Sequence, residues 1–182
     1  MTYPAQIDND AVAETTGDAA ERCNSCGRLA GVPLRIERAV FTDRRLSRFL
    51  QAHLDELAPT SPAESRHALE VSALQQPGVR LWTVKDNDEI IGTAALAGLE
   101  PQHEELKSMR TDPARRGQGI ASTLLEHLIR DAQARGINRI SLETGSMSFF
   151  APAHILYTKA GFTPCRPFGN YVDDPNSRYL TR

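Results

Sequence analysis

Apolar side chains recur along this chain with two different periods, and the order of those periods predicts its elements. Residues 34–41 alternate loosely, with Leu34, Ile36 and Val40 in step, as a first strand does. Thr42 then offers an N-cap, and Leu46, Phe49, Leu50, His53, Leu54 and Leu57 return every third or fourth residue until Pro59 ends the helix. Residues 62–65 can open a second, short helix that carries Leu69 and Leu74 and closes at Pro77-Gly78. Residues 79–85 and 89–99 are rich in β-formers around Asp86-Asn87-Asp88, a compact turn signal, so they predict a hairpin, and residues 104–111 add a third strand. Beyond residue 111 helix and strand alternate. Ile120, Leu124, Leu125, Leu128, Ile129 and Ala132 build one face of a helix that stops at Gly136. A short buried strand over 138–143, a helix over 151–159 closed by Gly161 and a last strand over 178–181 complete the chain.

Residues 1–31 have almost no periodic apolar signal and are expected to form a poorly ordered extension, which leaves 32–182 as one folded domain. Charge narrows the partners: 21 Lys and Arg against 23 Asp and Glu give a net −2, no basic footprint, and therefore no expectation of nucleic acid. The apolar runs fall short of the roughly 18 residues that span a bilayer, and the amino terminus lacks a basic-then-apolar signal. A cytoplasmic protein without a membrane partner is the expectation. Cys23 and Cys26 form a lone Cys-x-x-Cys with no second pair and no nearby histidine, so they are expected as a surface pair in a tail, with no metal. Cys165 is expected to be buried as a small apolar residue.

The chemistry gathers around residues 109–121. Gly117 and Gly119, set between Arg115-Arg116 and the first apolar turn of the 120–135 helix, leave consecutive backbone N–H groups uncovered at the helix's positive end, which makes a phosphate site. The segment has neither the third glycine of a dinucleotide fingerprint nor the Gly-Lys-Ser/Thr of a Walker loop. It does fit Arg/Gln-x-x-Gly-x-Gly/Ala, as Arg116-x-x-Gly119-x-Ala121, with Leu156-Tyr157-Thr158-Lys159-Ala160-Gly161-Phe162 downstream. In these residues and in its element order the chain resembles the GNAT N-acetyltransferase superfamily over residues 34–182, in its bacterial small-molecule subgroup. The resemblance implies an α/β fold: a mixed, mostly antiparallel central sheet with a splayed strand pair, flanked by helices.

It also implies acetyl-CoA as co-substrate, with the diphosphate on Arg116 and the amides of Gly117, Gln118, Gly119, Ile120 and Ala121. Met109, Arg110 and Thr111 on the splayed strand would meet the pantetheine arm, Met109 and Thr111 through their main chain. Tyr157 matches the family tyrosine proposed to protonate the departing thiolate, and a phenol holds its proton at neutral pH. Glu105 is the expected base, with Glu104, His103 and Glu143 also within reach in sequence terms. Strict alternation puts Glu105, Lys107 and Met109 on one face and Glu104, Leu106 and Ser108 on the other. One departure stands out. Many members carry Asn where this chain, counted back from Ala153, has Phe150.

The acceptor is expected to be a primary amine of a small molecule. Glu143 and Asp174 would attract its positive charge, Ser146 and Tyr171 would line its site, and His67, with Ser65 and Arg66, would shape the opposite wall. Two other readings stay open at this point, a non-catalytic acyl-CoA sensor and an acetyltransferase of protein lysines or N-termini. A homodimer is also left open.

Overall fold

The computed structural model describes residues 28–29, 32–59 and 71–182. A two-residue ladder of β1 (Arg28–Leu29) and β2 (Val32–Pro33) precedes a seven-stranded sheet. Its strands are β3 (Arg35–Arg38), β4 (Val79–Asp86), β5 (Glu89–Glu100), β6 (His103–Thr111), β7 (Arg139–Gly145), β8 (Thr163–Pro164) and β9 (Ser177–Thr181), in the order β3-β4-β5-β6-β7-β9-β8. Every neighbouring pair is antiparallel except β6–β7. The helices are α1 (Arg44–Leu57), α2 (Val71–Leu74), α3 (Ile120–Ala134) and α4 (Ala151–Lys159). The rest of the segment 1–31, Cys23 and Cys26 included, and the start of the second helix lie outside the described residues.

Both faces of the sheet are covered, which explains why β4 and β5 read as nearly continuous apolar runs. On one face Trp82, Val84, Ile91, Ala94, Leu96 and Leu106 pack against Leu124, Leu125 and Leu128 of α3 and Tyr157 of α4. On the other, Leu81, Ile90 and Ala95 meet Leu46, Phe49 and Leu50 of α1 and Leu74 of α2. Trp82 is 2% exposed, sits edge-on to His127 with ring centroids 6.0 Å apart, and carries the guanidinium groups of Arg38 and Arg80 at 4.6 and 5.1 Å. The N-cap of α1 is Asp43 and not Thr42: its side chain accepts from the Arg45 N–H and also holds the Arg45 guanidinium, a bond that a threonine hydroxyl cannot match in charge. Cys165 is partly exposed, contrary to expectation, because the edge strand β8 that precedes it has nothing packed beyond it in the sheet.

Two backbone features position the site. The parallel ladder between β6 and β7 covers only His103↔Arg139, Glu104↔Ile140 and Glu105↔Ser141, so the strands part beyond Glu105 while β6 continues to Thr111. Within that continuation Ser108 has φ +51°, and the β5–β6 register slips between Thr93↔Arg110 and Ala95↔Lys107. An extra residue on one strand turns the side chains that follow it. Met109 therefore packs with Leu106 on the α3/α4 face, not with Glu105 and Lys107, and Arg110 turns back to α1. The predicted alternation fails at this bulge.

Candidate active site

The loop after β6 is built to present backbone. Asp112 caps a 3₁₀ turn over Pro113–Arg115, accepting from the Ala114 N–H at 2.9 Å, and the chain then passes through Gly117 (φ +77°) and Gly119 (φ +80°) into α3. Both glycines use the left-handed region, and a Cβ at either would find nothing within 4 Å, so the space before the helix is open. Gly119 occupies the N-cap without any side-chain cap bond, which leaves the first amides of α3 facing outward. Close packing brings that end to the sheet: at Gly92 of β5 a Cβ would stand 3.2 Å from Ile120 Cγ2. Arg115 pairs with Asp86 and donates to Gln118 Oε1 at 3.2 Å, which braces the loop.

A cleft of about 490 Å³ starts at this loop. Its walls include Met109, Arg110 and Thr111 of β6, Arg116, Gly117, Gly119, Ile120 and Ala121 of the loop and α3, and Tyr157 of α4. Eight of the nine residues expected to hold the co-substrate thus meet in one cleft; Gln118 instead braces Arg115. Phe150, flagged in the sequence as standing where the family has Asn, also lines the walls, as do His53 and Glu56 of α1, Phe149 and Ile155, which the sequence reading did not anticipate there. Burial, and then the charge of Arg110, lowers the His53 pKa to about 4, so this imidazole is neutral at pH 7. Arg110 is pinned in place, donating to Phe49 O at 2.7 Å and to Glu56 at 3.4 Å. Phe150, at the position of the family Asn, packs its ring closely on Gly145 of β7: a Cβ there would come within 2.1 Å of that ring.

Tyr157 is 6% exposed, its ring 5.8 Å from that of Phe162. Burial raises its pKa, and the carboxylate of Glu143 raises it further, so the phenol keeps its proton well past neutrality. Glu143 stands on β7 where that strand has left β6, opposite Tyr179, and accepts from Ser177 Oγ at 2.6 Å. Its charge also acts on Tyr171 and Tyr179, which places it among three phenols.

Glu105 is buried in a closed triangle: Lys107 Nζ donates to it at 2.8 Å, the Tyr171 hydroxyl donates at 2.6 Å, and Lys107 donates to that hydroxyl at 2.8 Å. Burial and then Glu105 raise the Tyr171 pKa. Glu104 forms a two-pronged ion pair with Arg135, at 2.5 and 2.7 Å, on the far side of the strand. His103 Nε2 meets Ser141 Oγ at 2.8 Å. Two other expected acceptor residues serve a local turn: Ser146 donates to Pro175 O at 2.8 Å, and Asp174 Oδ1 accepts from the Asn176 N–H at 2.8 Å. Both face the same surface segment rather than the cleft walls. His67, Ser65 and Arg66 lie outside the described residues. Among those described, no group of three or more His, Cys, Asp or Glu could hold a metal ion, and no helix is long and apolar enough to cross a membrane.

Comparison with known proteins agrees with this geometry. Residues 46–162 match the acetyltransferase (GNAT) family. The uncharacterized N-acetyltransferase YsnE of Bacillus subtilis is 42% identical over 141 residues, 78% of this chain and 93% of that protein. YedL of Escherichia coli, also an uncharacterized N-acetyltransferase, is 44% identical over 129 residues, 71% of this chain and 81% of its own. Among solved structures, a Bacillus subtilis acetyltransferase in complex with CoA superposes with a TM-score of 0.57 at 20% identity, over 81% of this chain and 97% of that one, a likeness of fold.

Proposed function

Because the chain belongs to the GNAT acetyltransferase family, and is thereby an acyltransferase, we propose that it moves an acetyl group from acetyl-CoA to a primary amine of a small molecule by direct attack in a ternary complex. The observation that carries this reading is continuity: a single cleft joins the open amides of the glycine loop to the Tyr157 phenol. Its parts fit the co-substrate one by one. Arg116 and the α3 amides take the diphosphate, and the edge of β6 beyond Glu105, parted from β7, takes the pantetheine arm as an added strand. The apolar faces of Met109, Phe150 and Ile155 line the arm. Once bound, the thioester supplies an activated acyl carbon and a sulfur leaving group.

Proton handling falls to two groups that already sense each other. Tyr157, kept protonated, gives its proton to the departing sulfur as an N–C bond replaces the C–S bond. Glu143 takes a proton from the acceptor's ammonium, and the neutral amine so formed is the nucleophile. Glu143 is favoured over Glu105 for that role because its charge reaches Tyr157 and the Ser177 hydroxyl it accepts from is neutral, whereas Glu105 is ion-paired with Lys107. The Glu105–Lys107–Tyr171 triangle then forms a rigid wall of the acceptor side.

The decisive assay follows thiol release from acetyl-CoA across amino acids, polyamines, aminoglycosides, arylamines and peptides, with protein-only controls for its own cysteines. Turnover above background with a small amine is the expected result. Transfer only to peptides would replace the small-molecule reading with a protein acetyltransferase. Silence across the panel together with calorimetric acetyl-CoA binding would make the protein a sensor.

A further inference from the structure

One charge in the cleft has the wrong sign for an anion site. Glu56, in the last turn of α1, bonds to Arg116, and its Oε2 lies 3.4 Å from both Nε and Nη2 of Arg110. Arg115 is occupied by Asp86, so Arg116 is the loop cation left to face a diphosphate, and Glu56 already holds it. The carboxylate lines the same cleft and its side chain is 23% exposed. Burial works against its charge, yet Arg116 and Arg110 keep its pKa below the ordinary glutamate value, so it is an anion at neutral pH. Two anions cannot hold one guanidinium at contact distance without repelling each other.

We propose that Glu56 is an internal rival of the cofactor's diphosphate: its carboxylate neutralises Arg116 until a diphosphate arrives, and must then leave that arginine. The proposal rests on the cleft being the CoA site. The exchange leaves α1 docked, because Arg110 keeps its bond to Phe49 O at 2.7 Å and its stacking on the Phe49 ring at 4.6 Å. What changes is the last turn of α1, from which the chain runs into residues 60–70. Glu56 thereby sets selectivity by charge. A ligand with the pantetheine arm but no diphosphate has nothing with which to displace it.

The test is calorimetry of CoA and of pantetheine, which lacks the diphosphate, on wild type, Glu56→Gln, Arg116→Gln and the double variant. Glu56→Gln is expected to tighten CoA about three- to thirtyfold and to leave pantetheine unchanged. The gain should shrink at about 1 M salt, where exposed charges are screened, and disappear in the Arg116→Gln background. Glu56→Asp keeps the charge but shortens its reach to Arg116, so a smaller gain is expected there, which secures the test if the Gln variant folds poorly. Unchanged or weaker CoA binding in Glu56→Gln would overturn the proposal, weaker binding making Glu56 a positioning residue for Arg116. Equal tightening of pantetheine would overturn it too. Failure of the wild type to bind CoA would instead sink the reading of the cleft itself.

Discussion

Tyr157→Phe is expected to lower kcat by about ten- to a thousandfold while the affinity for acetyl-CoA stays put, because the change removes one oxygen and no packing. The ring remains in the core, held by Phe162 and the apolar side of α4, so the fold survives the substitution. What goes is, among the described residues, the only phenol that lines the cleft. Environment and role agree here. Burial and the Glu143 carboxylate both favour the neutral phenol, and a donor that never ionises near neutrality is always ready to give its proton. Since the pKa is raised, loss of the proton falls above the ordinary phenol value, and an alkaline fall in kcat belonging to Tyr157 should come above about pH 10. Steady-state kinetics of the variant with the best acceptor decides the matter: a wild-type kcat would remove Tyr157 from the chemistry.

Gly119→Glu should act on the other half of the reaction, raising the acetyl-CoA Kd about a hundredfold or more, roughly 2.7 kcal/mol. Two terms add. The left-handed φ of +80° is strained for any side chain, by about 1–2 kcal/mol, and the new carboxylate would stand in the open space before the α3 amides where the diphosphate belongs. Gly119→Ala separates the terms, since it keeps the strain and drops the charge, and a milder loss is expected of it. Calorimetry returning wild-type affinity for the Glu variant would refute the assignment of residues 116–121.

The glycine loop and α3 were legible because their signals are local: positive-φ glycines, a helix start and an apolar period of 3.6 all fall within about twenty consecutive residues. The order of elements along the chain followed from their periods, and the mixed sheet with its splayed pair from the family resemblance. Met109 was assigned to the wrong face because a period of two cannot foresee the bulge at Ser108, a serine with φ +51° where a glycine would have signalled it. β8, two residues long, is too short for any period to mark. His53 read only as one position in the apolar period of α1, and Glu56 carried no signal of its own. Their meaning comes from Arg110 and Arg116, more than fifty residues away, and only the fold brings those together. Glu105 and Glu143 were both visible as carboxylates near the splay, but their difference lies in their surroundings: Lys107 pairs with one, while Ser177 donates to the other, whose charge also reaches Tyr157.

Trp82 is the chain's one tryptophan, and it sits in the core against His127 with two guanidinium groups at its ring, apart from the residues that line the cleft. Its ultraviolet emission is thus a gauge of whether β4 and α3 hold together. Denaturant melts followed by that emission read the integrity of the sheet, whereas titrations of the cleft call for heat or an added dye as their signal.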